Sequence, residues 1–214
     1  DMDWDTFYKS YVTTYIERDV RDLVSVGDEM QFYKFVRAAA ARSGQMLDYT
    51  DISKDVGVSA PTVKSWVSLL KNSGLVFLLE PYSKNITKRI VKTPKLYFWD
   101  TGLAAHLCRW KDAQTLCLGP SAGAFFENYV ISEIMKNHIF NGRQSSFYRD
   151  KNGNEIDLVI TENQLVTPVE IKRTASPDAS MAKAFHLLKA SEPLKRNTGL
   201  IICNQPKVLP LADN

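Results

Sequence analysis

The stretch NEIDLVITENQLVTPVEIKR, from Asn154 to Arg173, restricts the fold more than any other part of the chain. Two runs of apolar residues flank Asn163-Gln164, and taking that pair as a two-residue turn makes the runs a β-hairpin. Residues two apart on a strand share a face, and so do residues directly opposite each other. In that register Asp157 lies opposite Glu170 and Glu155 opposite Lys172. These four then form one polar face, while Ile156, Leu158, Val169 and Ile171 point into a core. Opposed Cβ atoms are about 4.5–5.5 Å apart, and like charges there repel. Carboxylates so placed call for a cation. Lys172 is one that the chain supplies, and Mg²⁺ suits two hard oxygen donors. The plain alternative is a surface cluster of two salt bridges, Glu155–Lys172 and Asp157–Lys172, each worth little.

Upstream, LDYTDISKDVGVSAPTVKSWVSLLKNSGLVFLLEPY carries a second pattern. A short helix around Ile52 to Val56 meets Gly57 in a turn. Ser59 is a suitable N-cap with Pro61 in the first turn, and the next helix buries Val63, Trp66, Val67 and Leu70 before stopping at Gly74. The strand-like LVFLLEPY follows. Helix, short turn, helix, strand is the order of a helix-turn-helix with a wing, although a helical packing module with no ligand has the same pattern. No acidic residue lies between Glu80 and Asp100, whereas Lys84, Lys88, Arg89, Lys92 and Lys95 cluster in SKNITKRIVKTPK. Such a wing can sit on DNA phosphates, helped by Lys64 and Lys71 on the helix before it; otherwise it is a solvated loop.

Around these segments the spacing predicts a long amphipathic helix from Phe7 to near Gly27 and an Ala-rich helix closing at Gly44. A strand is expected at Leu96 to Trp99, a helix at Thr101 to Leu107, and a loop near Gly119. The remainder reads as a helix (Ala122 to Phe140), strands at Ser146 to Arg149, Glu155 to Ile160 and Leu165 to Arg173, a helix (Asp178 to Ala190), and a strand (Gly199 to Cys203).

With 214 residues, 44% hydrophobic and 24% charged, the chain has material for one large domain or two small ones and is not disordered. A net charge of +3 identifies no partner. Cys108, Cys117 and Cys203 are widely spaced, which points to reduced thiols in the cytoplasm, not to a disulfide framework or a zinc site. Apolar runs such as LVFLL are too short to span a bilayer, and no signal peptide is apparent. Asp1-Met2 reads as the start of a segment cut from a longer chain. GPSAG at Gly119 to Gly123 matches a nucleophile elbow, but helical rather than parallel-strand sequence precedes Ser121, so it is read as a loop feeding a helix. GVSAPTVKS lacks the spacing of a phosphate loop, and no ATP site is read in this chain. His106, His138 and His186 are isolated, which disfavours zinc.

Asp157, then Glu170-Ile171-Lys172, preceded by a helix with Glu127 in FFENYVISEI, resembles the PD-(D/E)xK nuclease superfamily, with Ile156 where that motif has Pro. The resemblance implies an α-β-β-β-α-β core. It makes Asp157, Glu170 and Glu127 ligands of Mg²⁺ or Mn²⁺, Lys172 the residue that orients the attacking water, and Glu127 the helical acid near the metal.

The segments YIERDVRDL, SAPTVKSWVSLL, VFLLEPYSKNITKRIVKTPKLYFWDTGLAAHL, FENYVISEI and RDKNGNEIDLVI together resemble a family of bacterial and archaeal AAA-type ATPases, in its C-terminal region of unassigned function. That resemblance implies an ATP-binding domain upstream of Asp1. The expected fold is mixed α/β: a linking helix at 1–28, a winged helix-turn-helix domain at 29–114 and a PD-(D/E)xK nuclease-like domain at 115–214. The expected partners are DNA, through Lys84, Lys88, Arg89, Lys92 and Lys64, and the upstream ATPase domain, with no membrane and the oligomeric state open. The expected function is DNA binding with a Mg-dependent nuclease-like site. Its alternative is a non-catalytic DNA- or protein-binding regulatory module of the ATPase.

Overall fold

A computed structural model describes residues 3–15, 29–82, 93–138, 143–188 and 194–211. The fold is mixed α/β and divides into two compact units: Asp1–Leu78 with Leu96–Phe125, and Leu79–Lys95 with Phe126–Asn214. No helix among the described residues is long and apolar enough to cross a membrane.

The first unit contains α1 (Trp4–Tyr11), α2 (Glu29–Ala41), α3 (Tyr49–Val56), α4 (Ala60–Asn72), α5 (Thr101–Leu107) and α6 (Ala113–Leu118). Its paired strands are β1 (Val76–Leu79) and β2 (Lys95–Phe98), of which the end residues Leu79 and Lys95 belong to the second unit. Local chemistry sets the helix limits. The Asp48 carboxylate accepts the Thr50 and Asp51 amides at the start of α3, and Gly57, at φ 80°, closes it by donating to Ser53. That left-handed conformation is one that glycine adopts at little cost. Ser59 accepts the Thr62 amide at the start of α4, with Pro61 in the first turn, as the sequence implies.

Val63, Trp66, Val67 and Leu70 recur at helical spacing on α4 and are all buried. Trp66 meets Phe32 and Phe35 of α2 at centroid distances of 5.3 and 5.4 Å. Leu96 exchanges backbone bonds with Gly44 and Gln45, so the link between α2 and α3 runs beside β2. Trp99 donates to Leu75 on the other side. Arg42 closes the α2–α3 corner through ion pairs with Asp51 and Asp55.

The second unit is built on β3 (Gln144–Arg149), β4 (Glu155–Glu162), β5 (Leu165–Ile171), β6 (Lys195–Arg196) and β7 (Leu200–Ile202). α7 (Ala122–His138) leads into it, and a 3-10 helix (Ala179–Leu187) packs against β4 and β5. β4 lies between β3 and β5, antiparallel to both. β6 and β7 pair with β5 in parallel, at Leu165–Val166 and Val169–Ile171. Pro168, which has no N–H to donate, falls between those two pairings. Glu80 to Tyr82 run along β3: Phe147 donates to Glu80 and Tyr82 donates to Phe147. Ile156, Val159, Val166, Phe185 and Leu188 form an apolar core.

Several expectations are revised. The helix expected at Asp178 to Ala190 is a 3-10 helix ending at Leu187, and six residues of helix, α6, stand before Gly119 where the sequence suggests a loop. β6 has no counterpart in the sequence pattern. Of the long first helix, Trp4–Tyr11 is α-helical and 12–15 continue as a π-type turn, while 16–28 lie outside the described residues. The wing segment 83–92 also lies outside them.

Asn163 and Gln164 form the turn joining β4 to β5, with φ 47° and 67°. Two positive values suit a hairpin turn whose favoured residues are Asn and Gly. Asn163 fits this, whereas Gln164 is held in a conformation that costs of order 1 kcal/mol. Replacing Gln164 with Gly should therefore stabilise the chain by up to about 1 kcal/mol, seen as a rise of about 2–4 °C in Tm for a protein of this size. An unchanged or lower Tm would show that the turn is unstrained.

Candidate functional site

The β4–β5 register runs from Glu162↔Leu165 to Leu158↔Val169, and Asp157 and Glu170 lie just beyond its last pair. Both are buried, at 6% and 7% exposure, so they are not part of a surface charge cluster. They are held differently. Asp157 Oδ2 accepts the Ile171 backbone N–H at 2.8 Å and lies 3.5 Å from Lys172 Nζ. Glu170 Oε1 lies 2.6 Å from the same ammonium. Its other oxygen, Oε2, is buried without a hydrogen-bond partner. The Lys172 backbone is fixed by its N–H bond to Ile202 of β7, which aims the side chain back across the two carboxylates.

Burial, and next the neighbouring Asp157 charge, push the Glu170 carboxyl up to about 7 despite Lys172. Burial would lower the Lys172 ammonium, but Glu170 and Asp157 outweigh it and raise it. One lysine therefore does not fully neutralise the pair.

A second ionic cluster adjoins the first. Lys95, at the head of β2, is 4% exposed, although the sequence groups it with the wing cations. It does not face solvent, because its ammonium is 3.2 Å from Glu127 Oε1 and is ion-paired with Glu155, with the Phe147 ring 5.5 Å away. Burial acts to lower its pKa, but Glu127, Glu155 and Asp157 raise it. Glu155 also meets Arg149 at 2.7 Å. The expected Glu155–Lys172 pair is thus replaced, because β3 brings Arg149 opposite Glu155 on the far side of β4.

The structure brings Asp157, Glu170 and Lys172 together, while Glu127 stands on Lys95. Among the described residues no three His, Cys, Asp or Glu side chains form a set able to hold a metal ion. Two carboxylates remain. The unpartnered Glu170 Oε2 and the Asp157 carboxylate suit Mg²⁺, which commonly binds through one or two carboxylates and keeps several waters. Lys64 is exposed on α4, and Lys84, Lys88, Arg89 and Lys92 lie outside the described residues. Sequence reasoning missed Lys95 as a member of the site. The available signal was its place as the one charged residue opening the apolar strand Leu96–Phe98.

Glu170 yields a pH prediction. Its carboxyl titrates ordinarily at 4.5, and in the fold at about 7. Between those values the folded chain keeps a proton that the unfolded chain has released, so stability falls as pH rises from about 4.5 to about 7. Glu170→Gln removes this dependence. With chelator present, its Tm relative to wild type should be higher at pH 8 than at pH 5, read in parallel thermal melts. A difference independent of pH would show that Glu170 is not held protonated.

Models of two families match the chain: "Domain of unknown function (DUF8612)" over residues 1–114 and "Domain of unknown function (DUF4143)" over residues 122–214. The uncharacterized proteins Rv2008c of Mycobacterium tuberculosis and Mb2031c of Mycobacterium bovis are each 28% identical over 173 residues, covering 79% of this chain. The chain spans 38% of the length of each of these relatives. No solved structure matches. By a match over more than half its length, the chain belongs to the family described as domain of unknown function DUF8612.

Proposed function

We propose that this chain is the C-terminal part of a cytoplasmic AAA-type ATPase, pairing a winged helix that binds duplex DNA with a PD-(D/E)xK nuclease-like unit. The observation that carries the nuclease reading is the buried Asp157–Glu170 pair, with an unpartnered Glu170 oxygen and Lys172 just past the end of β5. Asp157 and Glu170 would hold Mg²⁺ or Mn²⁺. Such an ion lowers the pKa of a bound water and polarises a phosphate. Lys172 stabilises negative charge developing on the phosphate oxygens, and its half-exposed side chain can reach a substrate there. The Ile171 N–H holds Asp157 in place.

The DNA reading draws on the order α2, α3, α4, β1, β2 and on the exposed face of α4. That face carries Lys64, Ser65, Ser68 and Lys71, and α4 has no acidic residue. Positive and hydroxyl groups on one helix face suit phosphate contacts. Lys84, Lys88, Arg89 and Lys92 of the basic segment would add sequence-independent attraction.

A second reading has its own support. Lys172 already touches both carboxylates, and a protein cation in that position is what a binding module that does not cut would retain. In that case the chain binds DNA or protein and reports to the upstream ATPase domain.

Two measurements test these readings. Mn²⁺ should raise the Tm of wild type and not of Asp157→Ala. In a plasmid-nicking assay, wild type should cut while Asp157→Ala and Lys172→Ala do not. Metal stabilisation without nicking selects the binding module, and no metal response in wild type removes the metal site. For DNA, neutralising Lys84, Lys88, Arg89 and Lys92 together should lower affinity and flatten the plot of log K against log salt. The slope should shrink by about 0.9 for each phosphate that is no longer neutralised. An unchanged slope would remove the wing from the interface.

A further inference from the structure

Glu127 comes from α7 and Glu155 from the first position of β4, two elements far apart in sequence, yet both meet the Lys95 ammonium. A buried lone ammonium is costly and normally loses its proton. This one is kept charged by the carboxylates around it and lies against the Phe147 ring. Two hard oxygen donors from separate elements meeting at one buried positive centre is the arrangement that a divalent ion imposes on carboxylates. Arg149 takes the remaining Glu155 oxygen, so that carboxylate is fully committed within the cluster.

We infer that Lys95 occupies the place of a second cation, its ammonium standing between Glu127 and Glu155 where a divalent ion would otherwise bind. The chain then binds one divalent ion, at Asp157 and Glu170, and Glu127 is not a ligand to it. The ion at Asp157–Glu170 rests on the reading proposed above; the role of Lys95 does not. Lys95 is a positioning residue on this account, and it acts by excluding an ion and fixing Glu127.

The test counts Mn²⁺ bound to the 214-residue chain by electron paramagnetic resonance, with circular dichroism confirming the fold. Wild type should bind one ion. Lys95→Ser opens the space between the two carboxylates and should bind one ion more than wild type, whereas Lys95→Arg should match wild type. Adding Glu127→Gln to Lys95→Ser should remove the extra ion. If wild type binds none and Lys95→Ser binds one, the Asp157–Glu170 reading fails and the inference about Lys95 stands. If Lys95→Ser binds no more ions than wild type, or if wild type binds two, the inference is overturned. Where wild type binds its one ion, Glu127→Gln decides the matter even if Lys95→Ser does not fold. Retention of the single ion supports the inference, and its loss makes Glu127 a metal ligand and overturns it.

Discussion

The site in the second unit depends on carboxylates of β4, β5 and α7 held by lysines that are themselves partly or wholly buried. Charge removed from water costs several kcal/mol per ion, recovered only by close pairing and additional hydrogen bonds. Lys172 supplies the pairing for Asp157 and Glu170, and Lys95 and Arg149 supply it for Glu127 and Glu155. The Ile171 N–H adds a backbone bond to Asp157. A well-packed apolar core in the same volume would cost less, so stability does not account for this arrangement.

The strand register makes the cluster. A slip of one residue between β4 and β5 would send Asp157 to the opposite face from Glu170 and undo the pairing with Lys172. Three features oppose such a slip: the two-residue turn at Asn163-Gln164, the apolar set Ile156, Val159 and Val166 packed on the 3-10 helix, and the β7 bond to Lys172. The strain at Gln164 is consistent with a turn selected for register over comfort. Pro168 fits for a related reason, since it sits where β5 passes from one short parallel partner to the next.

What could be read in advance follows the range of the forces involved. The turn, Ser59, Gly57 and the buried face of α4 are decided by residues within a few positions of one another, where periodicity and capping rules reach, and the nearness of Asp157 to Glu170 follows from the turn. Lys95 escapes such rules because its partners Glu127 and Glu155 lie 32 and 60 positions downstream, and only tertiary structure brings them together. The alternating pattern also implies a solvent-facing polar side for β4. In the sheet Asp157 is buried all the same, and the register shift opposite Ser146 and Tyr148 turns Val159 to the apolar side with Ile156. α6 is six residues long, too short for helical periodicity to show, and the apolar spacing of Ala179–Leu187 does not distinguish a 3-10 from an α-helix.

The charge balance of the joined clusters bears on what they can accept. Four carboxylates, Glu127, Glu155, Asp157 and Glu170, face three cations, Lys95, Lys172 and Arg149, which leaves one negative charge uncompensated. The proton that Glu170 holds up to about 7 closes that gap. A divalent ion displacing that proton would leave the group with one net positive charge, and a phosphodiester carries one negative charge. A second divalent ion would leave three positive charges in a low-dielectric setting where each is costly. With Lys95 already in place, the proposed nuclease reading is electrostatically self-consistent only with a single ion and a singly charged phosphate.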